Sequence, residues 1–529
     1  MLPTVTQRKV RSTNRFLSGV SVLTLSALIV KVIGLFYKIP LLRCLGTEGM
    51  GYFNTAYELY ALFCVISTAG LPVAMSMLIS RHEADGHHGA VKTIYRISLW
   101  SFVILGTVGS MILFGFSTPL SAALKNPDAA ACLRWISPTV FLICLSSAQR
   151  GFFQGKGNML PTAISQVIEA LGKLVLGLLF AVTAIRRGCS VPQIAAAAVL
   201  GLTVGTGISV LYLTVLKWHT GRRDLLQAAN EEATEGGQDI LRQLMTTAVP
   251  VTLSAGMISL TKLVDVALIL RRLQAVGYSV AEANSLYGCY STLAVPVFNI
   301  LPSLTTSVAL SVVPALSAAL QKRDQDRDEI HKIGLSALRL TLWIAIPAAF
   351  GLFVYAGDIL SVLFSGQALA VAQATPWLRT LALSVPAACL ITVCGAMLQA
   401  SGHARVPIVA MLVGVICKIA CAYWLLGKAD LGLMGAPVSS LICDGVIVLI
   451  ELFCLGRYIP ELLPSVAEGG GLFFLPTLLS AAAVGAVAFL FRRTDGGAWP
   501  LVEMASVALL YGLLIGLILW LRKSQEQNA

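Results

Sequence analysis

Blocks of about 20 apolar residues recur from one end of this chain to the other, and they limit its fold more than any other feature. An α-helix rises 1.5 Å per residue, so ~20 residues cross ~30 Å of hydrocarbon. Fourteen candidate spans can be drawn, at 15–40, 52–79, 92–117, 130–151, 159–184, 191–216, 241–270, 285–316, 333–355, 376–400, 406–427, 432–456, 472–491 and 499–521. The 529 residues are 57% hydrophobic and 12% charged, where a soluble chain would carry about 25% charged residues. A membrane β-barrel needs alternating polarity in ~10-residue segments, and that pattern is absent. The expected fold class is an all-α polytopic membrane protein.

The net charge of +12 does not point to nucleic acid, because the basic residues lie mostly in short loops between spans. Their bias of about two to one toward one side predicts that both termini are cytoplasmic. Two of the loops on that side, 219–239 and 321–332, mix both charge signs and read as solvated linkers. The first apolar block follows Arg8, Lys9, Arg11 and Arg15 as in a signal peptide. It is too long, and has no small-residue cleavage site, so it reads as an uncleaved span.

The 12 cysteines form no CxxC pair, and residues such as Cys144, Cys394 and Cys417 sit inside apolar runs as small core residues. His82, His87 and His88 make a surface cluster. No phosphate-loop, HExxH or GxSxG motif occurs, so neither an enzyme nor a cofactor or metal site is expected.

The chain repeats itself. TLSA stands at 24–27 and 252–255, and the same offset of 228 carries Arg43 onto Arg271. Leu-Pro recurs at 71–72 and 301–302. FFQGKGNMLP (152–161) is echoed by MLQASGHARVP (397–407), and Gln154 precedes Lys173 by 19 residues, as Gln399 precedes Lys418. These matches predict an N-lobe of six spans (15–218), a linker (219–240), a C-lobe of six (241–458) and two added spans (459–523), between tails at 1–14 and 524–529. An even number of spans per repeat gives parallel repeats, as in transporter halves with a cavity between them. Gly70 and Pro72 interrupt span 2, and Pro296 and Pro302 interrupt span 8. Paired interruptions in corresponding segments mark moving parts, or else packing kinks.

Charges inside spans are costly, and usually face an interior. Lys31 is about 16 residues into span 1, so ~24 Å from its inner end and past the midplane. It faces a cavity or snorkels outward. Lys38, Arg43, Arg271 and Arg272 ring the outer ends of spans 1 and 7, Lys173 and Lys418 lie inside spans 5 and 11, and Lys262 lies deep in span 7. An excess of cations at related positions predicts a cavity of positive potential for an anion. The acids within spans are Glu58, Glu169, Asp265, Asp444 and Glu451. Glu169 with Lys173, and Lys262 with Asp265, have spacings that allow mutual neutralisation. Asp265 and Asp444 are candidates for ion coupling, Asp444 with Ser439 and Ser440.

KVIGLFYKIPLLRCLGTEGMGYFNTAYELY (31–60) and STAGLPVAMS (67–76) resemble the stage V sporulation protein B branch of the multidrug/oligosaccharidyl-lipid/polysaccharide exporter superfamily. So do RGFFQGKGNMLPTAISQVIE (150–169), LVDVALILRRLQAVG (263–277) and LPSLTTSVALSVVPALS (301–317). The resemblance implies two six-helix lobes around a V-shaped cavity, with two C-terminal helices added. It also implies movement of an undecaprenyl-diphosphate-linked saccharide, such as lipid II, to the outer leaflet by alternating access. Lys31 stands where the related flippases have a cavity arginine, and Arg271 and Arg272 match a basic pair after span 7. Glu58 departs from the pattern, in a place where a neutral residue is expected.

The substrate diphosphate is thus expected on Lys31, Lys38, Arg43, Lys173, Lys418, Arg271 and Arg272, with Na⁺ or H⁺ as the candidate coupling ion. The expected partners are the lipid-linked substrate, the membrane and cell-wall synthesis enzymes. The rival readings are a multidrug/cation antiporter on the same fold and a non-transporting scaffold of cell-wall or spore-cortex synthesis.

Overall fold

Backbone amides within hydrocarbon have no water to bond, so each apolar block must close its hydrogen bonds internally, as a helix does. In the computed structural model of the chain, every regular element among the described residues is helical. The structure describes residues 5–85, 87–227, 237–320, 327–428, 430–462, 475–483, 485–487, 502, 506, 507 and 509–514.

The first part of the chain forms α1 (Val5–Thr68), α2 (Gly70–Ala84), α3 (His88–Gly115), α4 (Ser117–Ala123), α5 (Ala130–Gly155), α6 (Leu160–Arg186) and α7 (Val191–Gln227). It continues in α8 (Gly237–Val276) and α9 (Val280–Cys289). A π-helical turn, Tyr290–Ala294, leads into α10 (Val295–Leu320). Then come α11 (Arg327–Val354), α12 (Ala356–Leu363), α13 (Ala368–Ala400), α14 (Arg405–Leu425) and α15 (Gly435–Tyr458).

Eleven helical segments among the described residues are long and apolar enough to cross a membrane. The first, Leu25–Glu83, has 59 residues, about 88 Å of helix, enough for two crossings. Of the predicted spans at 472–491 and 499–521, only 475–483, 485–487 and a few residues up to 514 are described. Residues 228–236 and 321–326 of the predicted linkers, residues 1–4, and the predicted tail 524–529 lie outside the described residues. α7 runs on to Gln227 and α8 starts at Gly237, so helix takes up much of the stretch that composition marks as a linker.

Contacts gather the chain into two units. One comprises Met1–Gln274 and Tyr278–Gly288, the other Ala275–Gly277 and Cys289–Ala529. α8, which the internal repeat assigns to the second half, packs within the first unit. Gly70 is one reason. A Cβ there would collide with the Ala248 carbonyl and the Thr252 hydroxyl of α8, so only glycine lets α2 begin that close. The core of the first unit is built from Met75 and Ile79 of α2, Ile94 and Phe102 of α3, Phe152 of α5 and Leu244 of α8. That of the second centres on Val312, Leu316, Leu342, Val393, Met397 and Leu455.

Breaks in helix shape both units. At Gly46 the backbone takes φ 67 and ψ 178, a conformation open essentially to glycine, and α1 turns there. A second break at Ala69 separates α1 from α2. In the second unit the π-helical turn precedes Pro296, and Pro302 and Pro314 lie inside α10. Each proline removes a backbone donor and crowds the carbonyl four residues earlier.

Water cannot drive helices together within hydrocarbon, so close backbone approach does that work. α6 and α7 meet through glycines. A Cβ on Gly201 would strike the backbone of Gly177, and one on Gly205 would lie 2.9 Å from the Gly172 carbonyl carbon. Gly207, on the same helix, has only an ordinary contact at 3.8 Å. Gly201→Val is therefore expected to cost about 3 kcal/mol and to lower the melting temperature of the purified protein, while Gly207→Ala leaves it near wild type. Equal melting temperatures for the two variants would show that the glycine contact is not a source of stability.

Candidate functional site

Tyr37 and Phe53 are 16 residues apart, about 24 Å along a straight helix. The break at Gly46 folds the chain back between them, and their ring centroids lie 6.2 Å apart at 61°. Phe53 in turn stacks on Tyr57, at 6.2 Å and 8°. Into this group α6 inserts Lys173. Its ammonium lies 4.3 Å from the Tyr57 ring centroid, 5.2 Å from that of Tyr37 and 5.8 Å from that of Phe53. Each ring presents a negative face to the cation, an attraction worth about 2 kcal/mol or more when water is excluded.

The acid four residues before Lys173 is held elsewhere. The Glu169 carboxylate accepts a hydrogen bond of 2.9 Å from Arg150 on α5, and both side chains are largely buried. Arg150 also donates to Ser165 Oγ at 2.9 Å and to Ser209 Oγ at 3.4 Å. The i,i+4 spacing had allowed Glu169 to pair with Lys173; it pairs instead across helices, and Lys173 is held by aromatic rings.

Around Lys173 the first unit collects further charge. Lys38 of α1 lies within electrostatic reach of Lys173, Lys262 and Glu58. Glu58 also feels Asp265. α1, α6 and α8 thus bring together three ammonium groups and the carboxylates of Glu58 and Asp265, and Glu169, ion-paired with Arg150, is also within electrostatic reach of Lys173. Lys31 precedes Lys38 by seven residues, two turns along one stripe of α1, and is exposed there. It stands outside the cluster but in line with it. Such a cluster can bind a multivalent anion, the lysines giving charge and the acids limiting its strength.

The other predicted site residues are distributed differently. Arg271 donates from Nε (3.3 Å) and from one Nη (2.9 Å) to the Ala123 carbonyl at the end of α4. Gln274 donates to the Lys125 carbonyl at 2.7 Å. Together they satisfy the carbonyls where α4 ends. Arg272 is half-buried beside Arg271, and Arg43 is exposed. Lys418 is buried on α14, and Asp444 half-buried on α15, both in the second unit. Gly70 sits at the start of α2 with Pro72 behind it, and Pro296 and Pro302 flank the first turns of α10.

A polar network close to Gly46 was not foreseen from the sequence. Asn126 donates to Asn284 Oδ1 at 2.8 Å and to Thr55 Oγ1 at 3.0 Å. Asn284 donates to the Glu48 backbone carbonyl at 2.7 Å, and the hydroxyls of Thr47 and Ser285 meet at 2.6 Å. Gly51 and Gly288 allow the approach, since a Cβ on either would strike backbone of the facing segment.

Comparison with known proteins fits this architecture. The family described as "Polysaccharide biosynthesis protein" matches residues 16–320, more than half of the chain. The chain belongs to that family. The MatE family also matches, over residues 291–424. Stage V sporulation protein B of Bacillus subtilis (strain 168) is 27% identical over 454 residues, 84% of each chain. The lipid II flippase MurJ of the same organism is 24% identical over 426 residues, 77% of this chain and 76% of that one. Among solved structures, lipid II flippase MurJ in an inward closed conformation superposes with a TM-score of 0.70 at 15% identity, covering 94% of this chain and 98% of that one. An inward-facing multidrug resistance MATE transporter gives 0.65 at 16% identity, over 82% and 94%. The protein is a multi-pass membrane member of the exporter superfamily to which these relatives belong, and its fold is theirs.

The Arg150–Glu169 pair gives a test of how the unit is held. Arg150→Met strands a buried carboxylate and is expected to destabilise the protein by about 3 kcal/mol. Adding Glu169→Gln should recover much of the loss, because it removes the stranded charge. Additive losses in the double variant, read from thermal unfolding, would show that the two side chains do not act as a pair.

Proposed function

We propose that this protein is a flippase that carries an undecaprenyl-diphosphate-linked saccharide, lipid II or a related precursor, from the cytoplasmic to the outer leaflet. The observation that carries this reading is the lysine cluster of α1, α6 and α8, three ammonium groups with one of them caged by aromatic rings, within a membrane protein of this family. A diphosphate offers the multivalent, compact negative charge such a cluster suits.

In the proposed cycle Lys31 meets the diphosphate first and passes it along the α1 stripe toward Lys38 and Lys173. The rings of Tyr37, Phe53 and Tyr57 fix the Lys173 ammonium in place, which lowers the ordering cost of binding. Both termini are taken to be cytoplasmic, and the two units, one holding α8 and ending at Gly288 and the other running on from Cys289, to be the moving halves. The breaks at Ala69 and at the π-helical turn are the hinges. Arg271 holds the end of α4 in this scheme, while Arg43, Arg272 and Lys418 add to the field. The lipid tail has a candidate host in the second unit. An apolar cavity of about 520 Å³ there is lined by Val297, Ile300, Trp343, Tyr355, Val507 and Tyr511. An ion gradient or membrane potential supplies net work, with Asp265 or Asp444 as coupling residues.

The MatE match and the likeness to multidrug transporters favour a second reading, a cation antiporter. With Glu169 and its partner Arg150 counted, four cations face three acids in and around the cluster, an excess that weighs against a cationic cargo.

Cells depleted of their lipid II flippase provide the test, with precursor at the outer leaflet measured beside membrane protein level. Wild type should rescue growth. Lys38→Ala, Lys173→Ala and Lys31→Ala should each lower flipping at least about tenfold, a loss of about 1.4 kcal/mol of stabilisation, at near-normal protein levels. Lys31→Arg should keep partial activity. Full rescue by the triple alanine variant would overturn the anion site, and transport of a cationic dye against sodium or protons would establish the antiporter.

The orientation has its own test. Cysteines introduced at 230 and 324 should resist membrane-impermeant labelling of intact cells. Efficient labelling of either would invert the topology.

A further inference from the structure

A second cavity of the second unit belongs to none of the sites above. It lies between α10 and α11, toward the end where residues 321–326 connect them, and holds about 360 Å³. That is within the range of small-molecule sites, roughly 300–1,000 Å³. Each helix lines it with one stripe. Val308 and Ser311 belong to the stripe of α10, and Glu329, Lys332, Ser336 and Leu340 to that of α11.

Polarity changes along this cavity in a fixed order. Glu329 and Lys332 stand near the start of α11, Ser336 one turn farther in and Leu340 one turn beyond that. The steps along the axis are about 4.5, 6 and 6 Å. α10 runs the other way. Ser311 is nine residues before Leu320 at the end of α10, and Ser336 is nine after Arg327 at the start of α11, so the two serines stand at one level. By the same count Val308 stands beside Leu340. Ser311 gives its hydrogen to the Val308 carbonyl at 2.8 Å, so the Ser336 hydroxyl is the donor that this level offers a ligand. From the connection inward the wall reads acid, base, hydroxyls, hydrocarbon.

A phospholipid with an amine in its headgroup carries the complementary groups in the same order: ammonium, phosphate, ester oxygens, acyl chains. Lys332 suits the phosphate, as lysines in pockets between membrane helices do for other headgroups. Glu329, one short step nearer the water, suits the ammonium. The flank of the cavity is open, with Leu310 63% and Leu340 51% exposed, so acyl chains can leave sideways into the bilayer. Glu329 and Lys332 can also pair with each other, but exposed pairs of this kind are weak and yield to a headgroup that offers both charges.

The same order of groups disfavours other lipids. Phosphatidylglycerol gives Lys332 a partner but sets an uncharged glycerol against Glu329. Phosphatidylcholine has no N–H to donate to that carboxylate. Undecaprenyl diphosphate brings several negative charges toward an acid, and it has no ester oxygen for Ser336.

We propose that the cavity between α10 and α11 is a binding site for phosphatidylethanolamine, with the ammonium on Glu329, the phosphate on Lys332 and an ester carbonyl on the Ser336 hydroxyl. The site draws on the leaflet at its own end of the helices, whichever side of the membrane that is, and it does not rest on the transport reading above.

For the test, full-length protein stripped of lipid in detergent is offered phosphatidylethanolamine, phosphatidylglycerol and phosphatidylcholine with identical acyl chains at equal concentration. Native mass spectrometry counts the lipid retained. Wild type should retain phosphatidylethanolamine about tenfold over each of the others. Glu329→Lys should turn the preference to phosphatidylglycerol, and Lys332→Glu should release both. Ser336→Phe, which fills the cavity, should cut phosphatidylethanolamine binding about tenfold. All three positions are exposed, so these variants should melt near the wild-type temperature. Equal retention of the three lipids by wild type overturns the site, and that comparison stands even where a variant fails to accumulate. A preference that survives both Glu329→Lys and Ser336→Phe overturns it too. So does displacement of bound phosphatidylethanolamine by undecaprenyl diphosphate at equal concentration, which would assign the cavity to the cargo.

Discussion

The cost of an unbalanced charge or an unbonded amide in hydrocarbon governs this molecule at every scale. It forces the backbone into helices, since no other open structure closes its own hydrogen bonds. It leaves the helices without a solvent force to press them together, so glycines at Gly70, Gly201 and Gly205 let backbones touch and dispersion hold them. It also sorts the ionisable side chains. Each buried charge must find a partner, and the kind of partner separates scaffold from site.

By that criterion Arg150 and Glu169 are scaffold. They satisfy one another and two serine hydroxyls, and tie α5, α6 and α7 into one body. Arg271 is scaffold too, spending its guanidinium on a helix end. Lys173 is different. Aromatic faces hold its ammonium, with the carboxylates of Glu169 and Glu58 within electrostatic reach. Lys38 and Lys262 reinforce that field, and Glu58 and Asp265 keep it from becoming prohibitive.

The duplication adds a further layer. At corresponding positions of the sequence repeat the two units carry different residues. The first unit balances its buried acid with arginine. The second carries glycines, Gly395 and Gly414, at both positions and an acid, Glu451, from another helix. A fold made of two similar halves can give each its own set of buried charges in this way, without changing the architecture.

Much of the fold was legible in the sequence because hydrocarbon thickness, an external length, is written directly into the apolar blocks. The breaks at Gly46 and Ala69 lie in or beside glycine-containing stretches, and the residues of the lysine cluster stood out as charges in apolar runs. The sequence could not say which of those charges would meet. Glu169 and Lys173 sit one turn apart on one helix, yet the acid turned to Arg150, 19 residues back on another. Tyr37 and Phe53 became neighbours only because Gly46 reverses the chain between them. The unforeseen Asn126–Asn284 contact joins residues 158 apart. Local spacing thus determined the helices and their number by length and polarity. Which charges pair, which are caged and which stand alone is a property of helices meeting in three dimensions, and only the tertiary structure decided it.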